Sequence, residues 1–425
     1  MIRARSLAHD RISPEGEGPE LESASGLSHL DGKTVLILKL SGWGSLLGIA
    51  PVLSGLRRRA PGCRLVLVTQ RRNAPVASRF PWPDKILYLE GASFSSGPRS
   101  LPGVASLALA IRALAPFLFV DLQLETMRKT SLFLQVASGA SRRIGFVKRS
   151  DRIRMSALTH PLFFNRHHPS ARAYEQAALL LGISPGTFRP DTLEPVLRES
   201  LLDHRELEGA FPSLRLPGKI LVMNPNASER ALERRWPREY FSRTAEHLLR
   251  RHPSLRIVLT GSPSEREYTD RILHDLTAFR GRIENLAGLL SFGSLIALLR
   301  RADVFLSNDT GPLHLALNLR TPTVGLFGPT RPDLVLAPWT LSQMTALYEP
   351  LYCSPCLYQV LRPPCGGNNI CLSSLPVDRV VRAIESRLSG ELPKEGAGSA
   401  LPHPFRSSDD RGTPLAGFRP DTRPT

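Results

Sequence analysis

The chain has 425 residues, 42% hydrophobic and 22% charged, which is enough for two domains of ordinary size. Lys and Arg number 55 against 38 Asp and Glu, a formal charge of +17, and all but seven of the basic residues are Arg. Five Cys are too few for a disulfide framework, so a small secreted scaffold is excluded and a reducing compartment is the default expectation.

Residues 1–32 are rich in Ser, Gly, Glu and Pro, and carry three Arg against six acidic residues. They read as a disordered tail that cannot bury enough apolar surface to offset ordering, with no apolar stretch of the secretory type. Residues 391–425 have the same character with balanced charge, so the basic excess rises to about +20 on residues 33–390. The most apolar stretch, residues 104–120, is interrupted by Arg112 and Pro116 and falls short of the roughly 20 residues that span a bilayer. The expectation is a soluble, cytoplasmic protein.

Within the body, residues 34–40 read as a buried strand, followed by Gly42, Trp43 and Gly44 and a helix over about 45–59. Residues 64–69, 85–89 and 117–121 repeat the strand signal with helical stretches between them. Strands alternating with helices at this spacing predict βαβ units on a parallel sheet. A turn-rich linker, 212–218, precedes a restart: strands at 220–224, 256–260, near 283, 304–307 and 323–327, with helices at 237–251, 265–279, 291–301 and 311–319. The fold class is therefore α/β, with two doubly wound halves at 33–211 and 219–375 and a last helix at 376–390. Two such halves place a ligand cleft at the carboxyl ends of both strand sets. Neither half holds a complete G-x-G-x-x-G, which counts against a dinucleotide oxidoreductase.

The sharpest segment is Ser307-Asn308-Asp309-Thr310-Gly311-Pro312-Leu313-His314. A strand ends on Ser-Asn-Asp and Thr-Gly-Pro opens a helix, whose free N–H groups and dipole favour an anion such as pyrophosphate. Asp309 is placed to orient a sugar hydroxyl, Thr310 and Gly311 let phosphate oxygens approach the backbone, and His314 lies one turn in. The plainer reading is an Asp N-cap before a buried helix. Residues 321–330, a strand closed by Gly328 and Pro329, add a second loop beside the same cleft.

These two segments together resemble the signature of glycosyltransferase family 9, the lipopolysaccharide heptosyltransferases and their relatives. Residues 36–45, with Ala50, Pro51, Val52, Leu53, Leu56 and Arg57, are similar to the family's opening strand, loop and helix. Val120-Asp121-Leu122, Ser138-Gly139-Ala140 and Arg143-Ile144-Gly145-Phe146 resemble its middle, and Asn224-Pro225-Asn226-Ala227-Ser228 with residues 235–241 the start of its donor domain.

The resemblance implies a GT-B architecture, an acceptor on the first domain, a nucleotide-sugar donor on the second, and a last helix packing back across both. It implies inversion without a divalent metal or other cofactor, the leaving pyrophosphate being held by helix N-termini and basic side chains. Asp309, Thr310, Gly311 and His314 would hold the donor's phosphates and sugar, Arg234 would be a basic phosphate ligand and Ser228 would line the phosphate loop. Glu265 would bind the ribose and Leu290 would pack near the base. ADP-heptose is the donor the resemblance implies, with a glycolipid acceptor and peripheral contact at the cytoplasmic face of the inner membrane. Arg is scattered, with no basic helix interleaved with aromatics, so nucleic acid is not an expected partner. Two other readings stay open: a nucleotide-sugar epimerase of similar architecture, and a non-catalytic glycan- or nucleotide-binding protein.

One departure matters. The family's first loop usually ends Gly-Asp, the Asp serving as base, whereas this chain has Gly44 and Ser45. A Ser of ordinary pKa cannot replace a carboxylate as general base. Asp121, Glu125, His167 and His168 are the nearest cleft candidates, and Lys39 could add positive charge there. Four of the five Cys, Cys353, Cys356, Cys365 and Cys371, fall in one short segment whose spacing resembles a structural zinc site. The alternatives are free thiols or a bridge.

Overall fold

A computed structural model of the protein describes residues 29–91, 101–148, 150–184, 186, 188–227, 231–357, 359–360 and 363–390. Residues 1–28 and 391–425, the bulk of the two expected tails, lie outside the described residues. Residues 29–32 belong to the fold: Leu30 is buried, and Asp31 accepts a hydrogen bond from the Gly62 backbone N–H at 2.7 Å.

Twelve strands form two six-stranded sheets. The first contains β1 (Thr34–Leu38), β2 (Arg64–Gln70), β3 (Lys85–Leu89), β4 (Leu118–Asp121), β5 (Arg142–Val147) and β6 (His160–Phe163), in the order β3-β2-β1-β4-β5-β6. The second contains β7 (Ile220–Asn224), β8 (Arg256–Leu259), β9 (Ile283–Asn285), β10 (Val304–Asn308), β11 (Thr323–Phe327) and β12 (Met344–Tyr348), in the order β12-β11-β10-β7-β8-β9. All pairings are parallel, with Val35 opposite Leu65 and Leu118, and Phe305 opposite Val222 and Thr323. The central strands are buried along their length because helices cover both faces, which is why they read as unbroken apolar runs. β5, β6 and β12 carry weaker or shorter runs and were not distinguishable as strands by pattern alone.

Both sheets reverse their winding direction once, between β1 and β4 and between β7 and β10. Such a switch point opens a crevice at the strands' carboxyl ends, and here the two crevices share one interdomain cleft. The helix expected over 45–59 is two helices, α1 (Trp43–Gly48) and α2 (Ala50–Arg59), divided at Ile49 because Pro51 suits the start of a helix and not its interior. α3 (Leu101–Arg112) and α4 (Arg128–Ala137) cover the first sheet's outer face.

One apolar core runs from the first sheet through α5 (Ser170–Leu180) into the second half. The helix α6 (Leu201–Ala210) bridges the halves: it packs on α7 (Phe292–Arg301), while its Asp203 pairs with Arg79 at 3.1 Å. The last helix, α8 (Val377–Leu388), packs back, but not across both halves. Its buried residues Val377, Val380, Val381, Ile384 and Leu388 all join the core of the second half, leaving no apolar face for the first. Among the described residues no helix is long and apolar enough to cross a membrane.

Candidate functional site

The cleft holds a cavity of about 830 Å³, large enough for a nucleotide sugar, lined from both halves. On the second half, β10 ends in Asn308 and the chain turns through Asp309 and Thr310 into the helix Gly311–Asn318. Thr310 is its N-cap, without a side-chain cap bond, and Asp309, Thr310, Gly311, Pro312 and His314 at this helix start line the cavity.

A buried hydrogen-bond network fixes that turn. Asn224 Nδ2, at the end of β7, donates to Thr310 Oγ1 at 3.0 Å, and the Ser307 and Thr310 hydroxyls lie 3.1 Å apart. Asn226 Nδ2 donates to the Thr260 carbonyl at 2.9 Å, and Asn308 Nδ2 to the Asn226 carbonyl at 3.0 Å. Three strand ends are thereby tied together, so the anion-facing turn has little freedom to shift.

Asp309 is buried beneath it. Burial opposes its ionisation, but the His314 imidazole, the Arg234 guanidinium and the Thr330 hydroxyl outweigh that and hold its carboxyl at about 2. Thr330 Oγ1 donates to Asp309 Oδ2 at 2.8 Å, while Arg234 Nη1 and His314 Nε2 stand 3.5 and 3.7 Å from the carboxylate. Arg234, His314, Thr310 and Gly311 all line the cavity, as their motif positions suggested.

Glu265 and Leu290 line the same cavity. Glu265 has a local task as well: its Oε2 accepts from the Ser262 N–H at 2.8 Å and the Ser262 hydroxyl at 2.9 Å, a capping box, while Oε1 lies 4.0 Å from Arg235. Gly261 is needed beside it, since a Cβ there would sit 2.5 Å from Asn226 Nδ2. Leu290 is half-buried against the shared core. Ser228 lies outside the described residues.

On the first half, α1 brings Trp43, Gly44 and Ser45 to the cavity wall. Trp43 packs edge-on against Phe292 of the second half, ring centroids 5.2 Å apart. Lys39, just past β1, lies at the switch point almost wholly buried (1% exposed), and donates to the Leu122 carbonyl and to the Tyr174 hydroxyl, each at 2.7 Å. Burial pushes the Lys39 ammonium down to about 7, against the Asp121 charge. Burial raises the Tyr174 hydroxyl, and Ser45 beside it acts in the opposite direction. No sequence motif singles out Tyr174, which lies 135 residues from its lysine partner.

The candidate bases fare differently. Asp121 is fully buried and paired with Arg154, which makes it an internal ion pair and no cleft carboxylate. Glu125 does line the cavity, in an ion pair with Lys148. His168 lines it from an exposed position, and its neighbour His167 is also exposed but is not among the lining residues.

The zinc expectation is not supported. Cys353, Cys356, Cys365 and Cys371 are free thiols, and among the described residues no group of three or more His, Cys, Asp or Glu is arranged to hold a metal ion. Burial and the neighbouring cysteines push the Cys371 thiol up to about 11. Cys371 and Cys356 are buried, and a Cβ on Gly328 would lie 2.7 Å from Cys371 Sγ, so the quartet packs as part of the fold.

Comparison with known proteins agrees with this geometry. The chain is 27% identical over 175 residues to lipooligosaccharide heptosyltransferase 2 of Campylobacter jejuni, a match covering 41% of this chain and 53% of that protein. The chain thus spans about half the length of the curated relatives it matches. Among solved structures, a family 9 glycosyl transferase from Veillonella parvula superposes with a TM-score of 0.64 at 19% identity, covering 85% of this chain and 99% of that one. The ADP-heptose lipopolysaccharide heptosyltransferase II of Escherichia coli gives 0.60 at 18% identity, covering 84% and 99%. These likenesses establish the GT-B fold. The profile of glycosyltransferase family 9 (heptosyltransferase) matches residues 122–363, more than half of the chain, which therefore belongs to that family.

Proposed function

We propose that the protein transfers a sugar from a nucleotide-activated donor to a hydroxyl of a cell-surface glycolipid such as the lipopolysaccharide core, acting at the cytoplasmic face of the inner membrane. The observation that carries this reading is the turn from Asp309 into the helix Gly311–Asn318, whose start, with Asp309, Thr310, Gly311 and His314, lines the interdomain cavity. A diphosphate there meets the helix dipole and Arg234, and the charge that develops on the leaving group is stabilised without need of a divalent cation. Asp309, ionised and fixed from three sides, orients donor hydroxyls and holds Arg234 and His314 in place. Glu265, through the Oε1 that the Ser262 cap leaves uncommitted, receives the ribose, and Leu290 the base; Ser228 would line the phosphate loop.

The donor we favour is ADP-heptose, for which the Escherichia coli relative is named. With the leaving group on the second half and the acceptor on the first, attack comes from the opposite face, so a single displacement inverts the anomeric carbon. Exposed Ile153 and Met155 beside Arg152, on the first half's edge, offer an apolar and basic contact to a membrane surface carrying the acceptor.

A thermal-shift panel of ADP-heptose, UDP-sugars and GDP-sugars, followed by transfer to lipid-linked acceptors, tests the reading. Stabilisation by ADP-heptose alone and acceptor-dependent release of ADP are the expected results. Stabilisation by a UDP-sugar with epimerised product and no transfer would replace it with the epimerase reading.

A further inference from the structure

The loop that ought to present a base presents Ser45, which cannot act as one alone. What lies behind Ser45 changes its chemistry. Ser45 bears on the Tyr174 hydroxyl, acting against the effect of burial there, and Tyr174 meets Lys39 at 2.7 Å, so three neighbouring side chains lead from the cavity wall to the β1/β4 switch point. All three border the cavity. Tyr174 is buried and packs close to Gly48 of α1, where a Cβ would stand 3.3 Å from the Tyr174 ring.

Ser45 is also in the right place. Its neighbour Gly44 abuts His314, whose helix start receives the donor diphosphate in the reading above. An acceptor hydroxyl attacking a sugar held there passes Ser45 on the first-half side.

We propose that Ser45, Tyr174 and Lys39 form a proton relay that removes the acceptor proton, with the neutral amine of Lys39 as the terminal base. This rests on the glycosyltransferase reading. In the step, the acceptor oxygen forms a bond to the anomeric carbon as the bond from that carbon to the diphosphate oxygen breaks, and its electron pair leaves with the diphosphate. The acceptor proton moves to Ser45 Oγ, the Ser45 proton to Tyr174 Oη, and the Tyr174 proton to Lys39 Nζ, which becomes an ammonium. As an ammonium Lys39 donates to both the Leu122 carbonyl and the Tyr174 hydroxyl; as a neutral amine it would keep one N–H on Leu122 and turn its lone pair to the Tyr174 O–H, reversing that bond.

The surroundings let the amine be neutral when the step begins. Burial lowers its pKa to about 7. From β4 the facing charge is Asp121, which is committed to Arg154. From α5 the facing group is Tyr174, and the next residue, Glu175, is held by Arg172. β2 ends beside it in the neutral Thr69 and Gln70, and Thr69 Oγ1 donates to the Lys39 carbonyl at 2.7 Å. At the cavity rim Glu125 is engaged by Lys148. Ser45 would be the catalytic residue here, with Tyr174 and Lys39 acting through it.

The test follows the proton. The chain has only seven Lys, so labelling them with carbon-13 at Cε gives a spectrum in which Lys39 is assigned by its loss in Lys39→Met. The relay requires that resonance to titrate near pH 7, and requires the wild-type transfer rate from ADP-heptose to rise with pH through the same midpoint. Tyr174→Phe is expected to lower kcat by about 100-fold and to abolish that limb, with ADP affinity unchanged by calorimetry. Adding Ser45→Asp to Tyr174→Phe supplies a carboxylate that takes the proton directly, and should restore transfer with its limb moved to acid pH. A Lys39 resonance that titrates with the surface lysines, or a Tyr174→Phe enzyme that keeps the wild-type limb, overturns the relay. Wild-type protein that transfers from no nucleotide sugar overturns the reading on which the relay rests, whatever the titration of Lys39.

Discussion

Gly44 lies against the His314 imidazole so closely that a Cβ on Gly44 would stand 2.3 Å from the His314 ring. The contact joins the first turn of α1 to the helix Gly311–Asn318, two helix starts that belong to different sheets and that pack on one another across the cleft. Gly311 makes the reciprocal accommodation, since a Cβ there would come within 3.0 Å of Trp43. The two halves of the cleft meet closely here because both helix starts lack a side chain where they touch.

Gly44→Ala follows directly. The new methyl must displace the His314 ring or part the two halves, and overpacking of this kind costs about 1–3 kcal/mol. Because the displaced ring borders the proposed diphosphate site, ADP affinity should fall with it. Calorimetric titration with ADP alongside urea denaturation checks this, and unchanged affinity would show that the contact serves packing alone.

Asp309 gives a prediction with a defined pH window. Its folded carboxyl titrates at about 2, below an ordinary value of 3.8, so the stability it contributes is present above about 4 and is lost as pH falls toward 2. The shift corresponds to about 2 kcal/mol. Asp309→Asn should destabilise the protein at neutral pH, narrow its deficit relative to wild type in acid, and weaken ADP binding by releasing Arg234. Paired denaturation curves at neutral pH and at pH 2 test the sign.

Lys39 works in the opposite direction. Unfolded, it keeps its proton to about 10.5, whereas folded it releases it near 7, so between those values unfolding takes up a proton. Wild-type stability relative to Lys39→Met should therefore rise with pH across that window, by up to about 1.4 kcal/mol per pH unit, with the full burial penalty present below it. Urea denaturation of both proteins at pH 6.5, 8 and 9.5 measures the slope. A constant difference would place the Lys39 titration outside the window.

Asp121 separates structure from chemistry. Removing one partner of a buried ion pair leaves an uncompensated charge, so Asp121→Asn should cost about 3–5 kcal/mol by stranding Arg154. ADP binding by the fraction that remains folded should be unaltered. A variant of full stability with transfer abolished would return Asp121 to the list of bases.

The residues that the motif placed at the donor site reach the cavity because their signal is local. A strand end, a cap and a helix start are contiguous in Asn308, Asp309, Thr310 and Gly311, and the physics that makes them an anion site acts within one turn. Arg234 and Glu265 reach the same cavity because each closes a loop at the end of a neighbouring strand. The short strands β5, β6 and β12 and the division of the first helix at Ile49 were harder to read, since a four- to six-residue strand carries little periodicity. The cysteine spacing finds no support as a metal site, because such a site needs ligands arranged in space around an ion, and spacing alone does not specify that arrangement.

The sequence by itself determined two doubly wound halves, a strand end that turns through Asp309 and Thr310 into a helix, and the absence of a carboxylate at position 45. Each is written in contiguous residues, where periodicity, capping and side-chain type are visible without a fold. Only the tertiary structure decided that Asp121 is spent on Arg154, that Lys39 is buried against Tyr174, and that Gly44 meets His314. Those pairings join residues 33, 135 and 270 positions apart, and whether a charge is neutralised, desolvated or exposed depends on the partner that folding brings to it. The basic excess acquires its meaning in the same way: Arg234 bears on the candidate donor site because β7 and β10 are adjacent, whereas Arg154 is consumed in the interior.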